Sequence, residues 1–149
     1  MPMPNPRSTA QIAGHPIHPM LIPFPISFFV GTFVYDLVFW QTANPGWANA
    51  TPWLLGAGLV MAGLAAVIGL IDVFGDQQIR QNSTAWWHAS ANVLAVLVEL
   101  YNLFIRYQSG SAAIVPTGLT LSLIAVLLLL FSGWKGGDLV FRSRVGVAG

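Results

Sequence analysis

Four blocks of roughly 20 apolar residues, separated by short polar stretches, govern what this chain can fold into. At 1.5 Å rise per residue, a helix of about 20 residues spans the ~30 Å hydrocarbon layer of a bilayer. Lipid offers no water to backbone N–H and C=O groups, so spanning segments are helices or closed barrels. These blocks lack the period-two alternation of barrel strands. Composition agrees, with 55% of residues hydrophobic and only 7% charged, where soluble domains carry about a quarter. The expectation is an all-α integral membrane four-helix bundle with spans at 23–41, 53–74, 85–107 and 113–134. A Pro-rich tail and pre-helix over 1–22 precede it, and a polar tail over 135–149 follows. Connections this short favour up-down-up-down packing.

The chain has no cysteine, which rules out disulfides, thiolate metal sites and covalent haem attachment. A net charge of +1 supplies no basic surface for nucleic acid. Met1 to Gly14 has Arg7 as its only charged side chain and lacks the order of a cleavable signal, so it is expected to form a loose cytoplasmic tail. Arg7, Arg80, Lys135, Arg142 and Arg144 fall on one side of the spans and only Arg106 on the other. The positive-inside rule then puts both termini of a multi-pass protein in the cytoplasm.

Local signals set the helix ends. Pro16, Pro19, Pro23 and Pro25 cannot all lie inside a regular helix, so the first span is expected to start near Ile22 or Pro23, where the first turn tolerates proline. His15 to Pro19 then forms a turn or kinked pre-helix. Pro52 suits the first turn of the second span, and Ser83 or Thr84 suits the cap of the third. Gly58, Ala62, Ala65 or Ala66, and Gly69 make a small-residue stripe for close approach of an internal neighbour or of a second copy in a homo-oligomer. Leu119 to Phe131 reads as the most lipid-exposed wall, and all six tryptophans fall near span ends, as an aromatic belt requires.

Polar residues inside the spans need partners or a purpose. His88, Asn92, Ala95, Glu99, Asn102 and Arg106 recur at spacings of three and four, on one narrow face of the third helix, and must point into the bundle. Asp36 on the first span lies at a similar depth to Asn102 and Arg106, so a contact with Arg106 or Asn102 is feasible. That stripe reads either as an interhelical hydrogen-bond seam or as a proton or ion path through Asp36, Glu99 and Arg106.

At the cytoplasmic end, topology brings His15, His18, Asp72, His88 and Asp138 to one level. Neutral imidazoles with a carboxylate suit a first-row transition metal, with His15, His18, Asp72 and His88 as ligands. An imidazole from each of two helices suits haem b, drawn from His15, His18 and His88. No nucleophile–base pair, phosphate loop or dinucleotide fingerprint is present.

The run Gly14-His15-Pro16-Ile17-His18-Pro19-Met20-Leu21-Ile22-Pro23-Phe24-Pro25-Ile26 resembles the opening signature of the bacterial membrane family called domain of unknown function 2231. Gly69 to Asp72, His88 with Asn92, and Gly133 to Arg142 resemble its later blocks. Family members carry a histidine shortly after the closing arginine, where this chain has Ser143. The resemblance implies a multi-span bacterial membrane protein without an established activity. Fusion of some relatives to Rieske-type iron–sulfur domains implies membrane electron transfer with a redox partner protein. The working expectation is a haem b- or metal-binding accessory subunit in membrane lipid. Its rival is a non-catalytic scaffold in which the same residues only lock helices together.

Overall fold

The structure is a computed structural model that describes residues 5–147. A two-residue hairpin, β1 (Gln11–Ile12) with β2 (His15–Pro16), leads into the short helix α1 (Ile17–Leu21). The helices α2 (Pro23–Thr42), α3 (Pro45–Gly75), α4 (Gln77–Arg80), α5 (Ser83–Ser109) and α6 (Leu119–Phe141) follow. A 3-10 turn, Gly110–Ala113, and a π turn, Ile114–Gly118, join α5 to α6. Three helical stretches are long and apolar enough to cross a membrane: Ile17–Thr42, Pro45–Gly75 and Ser83–Phe141, the last broken by non-helical backbone at Val115. The last covers 59 residues and contains both α5 and α6.

The helix starts follow their caps. Pro23 opens α2 with its missing N–H in the turn that needs none. Asn44 opens α3 by accepting from the Gly46 amide, with Pro45 at the first helical position. The second long helix therefore begins eight residues before the expected Trp53, and Pro52 lies inside it. Proline leaves the carbonyl four residues back without its usual donor. Here the Thr51 hydroxyl donates to that carbonyl, Ala48 O, at 2.9 Å, so the helix runs on. The cap of α5 is Asn82, whose side chain accepts from the Thr84 amide, and not Ser83 or Thr84. Helix α6 starts at Leu119 rather than 113 and extends to Phe141, so Lys135 to Phe141 is helical rather than tail.

Contacts between helices give their directions. Tyr35 meets Trp47, and Phe29 lies against Gly58, so α2 and α3 are antiparallel. His88 meets Ser132 and Asn102 meets Ser122, which makes α5 and α6 antiparallel as well. His18 faces His88 and Asp36 holds Arg106, so the first long stretch and α5 run parallel. Gly58 allows the closest approach, because a Cβ there would stand 2.6 Å from the Phe29 ring. Outward faces are aliphatic and aromatic: Val60, Leu97, Phe104, Leu127 and Leu130 are all exposed. The interior instead holds Asp36, Thr51, Glu99, Asn102 and Ser122. Such an arrangement suits lipid as the solvent.

The first residues are not a loose tail over the part described. Asp72 accepts from the amides of Thr9 and Ala10 at 2.7 and 2.8 Å and from the Ser8 hydroxyl at 3.0 Å, and Asp76 accepts from the Arg7 amide. Pro6 O also accepts from the Gly146 amide, which ties the two ends of the chain together. Met1 to Pro4 lie outside the described residues.

Candidate functional site

The polar face of α5 divides into two layers. The outer layer, nearer the α5–α6 connection, centres on Arg106. Its Nη1 and Nη2 donate to the two Asp36 oxygens at 2.8 and 2.7 Å, and its Nε donates to Asn102 Oδ1 at 3.0 Å. Nη1 also donates to the Thr51 hydroxyl. Ser122 of α6 donates to Asp36 at 2.7 Å and accepts from Asn102 Nδ2 at 3.0 Å. Asn102 Nδ2 donates to Glu99 Oε2 at 2.9 Å as well. All four long helices thus supply one buried network, in which Asp36, Glu99, Asn102, Thr51 and Ser122 have no exposed surface. A small cavity of about 120 Å³, lined in part by Asn49, Thr51, Arg106 and Ser111, reaches this layer from the end of the bundle.

The second layer holds two of the three histidines. His18, on α1, and His88, on α5, face each other with ring centres 6.1 Å apart and planes at 83°. His18 Nδ1 lies 2.8 Å from Ala65 O, and His88 Nδ1 lies 2.9 Å from Ser132 O. A carbonyl only accepts, so each Nδ1 carries the hydrogen and each Nε2 holds the lone pair of the neutral ring. This is the orientation that second-shell carbonyls impose on metal-bound imidazoles. Asn92 Nδ2 donates to His88 Nε2 at 3.1 Å and to His88 O at 2.9 Å. The rings lie close against glycine backbones, because a Cβ on Gly69 or Gly136 would stand 3.0 or 3.2 Å from them.

The expected four-residue metal set is not assembled. Among the described residues, no group of three or more His, Asp or Glu side chains is placed to hold a metal ion. Asp72 is spent on the N-terminal segment, and its oxygens are already enclosed by Ser8, Thr9 and Ala10. His15 is exposed, with Nδ1 on Ala13 O at 3.0 Å. Asp138 pairs with Arg142 and Lys135, at 3.2 and 3.8 Å.

The chain's residues 14–149 match the family model described as Predicted membrane protein (DUF2231). The chain belongs to this family. The match begins at Gly14, so it takes in His15, His18 and His88 together with the whole buried network. No curated protein and no solved structure matches the chain. Membership therefore supports a membrane protein built on apolar helices, and the chemistry of this DUF2231 chain has to be argued from its own residues.

Sequence reasoning missed the groups that hold the named side chains. Ser132 and Gly136 sit one helical turn apart on α6 and cradle His88, a pairing legible in their i, i+4 spacing. Thr51 and Ser122 complete the Arg106 layer, yet isolated hydroxyls in apolar helices commonly bond to their own backbone and carry no signal of that role.

Proposed function

We propose that this chain is a multi-pass inner-membrane protein that crosses the bilayer four times with both termini cytoplasmic. In this reading it holds haem b between His18 and His88, as an accessory subunit of membrane electron transfer. The carrying observation is the facing pair of imidazoles, each with Nδ1 fixed on a backbone carbonyl. His18 and His88, with their rings 6.1 Å apart, would supply the two protein nitrogens for the haem. Haem needs only two protein ligands, whereas a bare metal ion would need a third that the described residues do not bring near. Each Nε2 would be the ligand atom, and His88 would give up its hydrogen bond from Asn92 to serve. With no cysteine for a cluster of its own, the chain would exchange electrons with a partner membrane protein.

The test is the visible absorption spectrum of protein purified in mild detergent from cells supplied with a haem precursor. Wild type should show a stoichiometric haem b spectrum. His18→Ala and His88→Ala should each abolish it, and His15→Ala should retain it. A colourless wild-type protein, whose histidine variants only lower the melting temperature, would leave the scaffold reading in place of this one.

A further inference from the structure

We propose that Glu99 is a proton-binding site, holding one exchangeable proton that neutralises the buried cluster of Asp36, Glu99 and Arg106. The argument starts from charge. The network around Glu99 draws on Asp36 of α2, Thr51 of α3, Asn102 and Arg106 of α5, and Ser122 of α6, and of these only Asp36 and Arg106 are charged. Arg106 gives two nitrogens to the two Asp36 oxygens, so that pair closes on itself with no net charge. An ionised Glu99 would then leave one uncompensated negative charge in the hydrocarbon, at a cost of several kcal/mol.

The hydrogen bonds agree. Asp36 accepts from two guanidinium nitrogens and the Ser122 hydroxyl, and Asp72 accepts from two amides and two hydroxyls. Each of these two carboxylates thus has at least three donors. Glu99 has one, Asn102 Nδ2 on Oε2, and Oε1 has no partner although the side chain is fully buried. A positive species on Oε1 removes the uncompensated charge and turns an oxygen that lacks donors into one that needs none. An alkali ion needs several oxygen ligands, but Asn102 Oδ1 is taken by Arg106 and the Ser122 hydroxyl by Asp36. That leaves the proton. It exchanges on the Arg106 side, where the small polar cavity meets the layer. Ala95, buried on the same face of α5, separates Glu99 from Asn92 and the histidines. This inference stands apart from the haem reading and survives its failure.

Infrared difference spectroscopy of the protein in liposomes tests it. Wild type should show the C=O stretch of a protonated carboxyl, lost in Glu99→Gln and shifted down in deuterated buffer. A missing band, a band that does not shift, or one displaced by sodium or potassium at fixed pH would overturn the proposal. Should Glu99→Gln fail to fold, dicyclohexylcarbodiimide reads the same proton in wild type, because it couples to protonated carboxyls in apolar surroundings. An adduct at Glu99 and none at Asp36 is expected; label on Asp36 alone would overturn it.

Discussion

Arg106 grips Asp36 through both terminal guanidinium nitrogens, at 2.8 and 2.7 Å, and neither side chain has any exposed surface. The two residues lie 70 positions apart, the same offset that separates His18 from His88. One parallel register between the first helical stretch and α5 therefore sets both the buried ion pair and the imidazole pair. A buried two-pronged pair has little net value over apolar residues of the same size, but it discriminates strongly against other registers, because a slip strands a charge in lipid.

Removing one partner should therefore hurt more than removing both. Asp36→Leu or Arg106→Leu alone is expected to lower stability by about 3–5 kcal/mol, and the double variant by clearly less than the sum. Equilibrium unfolding in detergent measures this. Additive losses would show that the two side chains act independently.

Gly58 predicts a second effect, of packing rather than charge. A Cβ there would stand 2.6 Å from Cε1 and 2.8 Å from Cδ1 of the fully buried Phe29 ring. Gly58→Ala should cost about 1–3 kcal/mol through overpacking, and Phe29→Leu in the same chain should recover part of it. Gly56 and Gly63 have nothing within 4 Å of a Cβ, so Gly63→Ala serves as a control and should leave the melting temperature near wild type.

The N-terminal clamp predicts a local change. Asp72 holds Ser8, Thr9 and Ala10, so Asp72→Ala should release this segment while the apolar helices stay packed. Amide hydrogen exchange at Thr9 and Ala10 should rise by at least tenfold, with Asn102 and Leu103 in α5 still protected. Each buried donor that loses its acceptor costs about 1–3 kcal/mol, which is more than a short surface hairpin can spare. Unchanged exchange at Thr9 and Ala10 would mean that the β1–β2 hairpin holds the segment by itself.

The apolar runs and the polar stripe on α5 were legible because helical spacing is a strong signal in a sequence with so few charges. His88, Asn92, Glu99, Asn102 and Arg106 could be placed on one interior face from their numbering, and Asp36 from its depth. Helix ends were less legible, since Asn44 and Asn82 cap as well as the serine and threonine beside them. The fate of Asp72 could not be read at all. Half of its donors are backbone amides of residues some 60 positions away, and an amide has no sequence identity. Topology brought His15 and Asp72 to the correct end of the molecule without showing that one would face solvent and the other an amide cage.

Thr51 supports two structures with one hydroxyl, and the two can be separated. It donates to Ala48 O, the carbonyl that Pro52 leaves without an N–H, and it accepts from Arg106 Nη1. Thr51→Val should therefore lose both contacts and cost about 2–4 kcal/mol, because a buried carbonyl and a guanidinium hydrogen are each left unpaired. In a Pro52→Ala background the restored N–H satisfies Ala48 O, so the same Thr51→Val change should cost only the part owed to Arg106. A double-mutant cycle by equilibrium unfolding gives that coupling directly. Zero coupling would mean that the Ala48 carbonyl finds another donor, and that the continuation of α3 through Pro52 does not rest on the hydroxyl beside it.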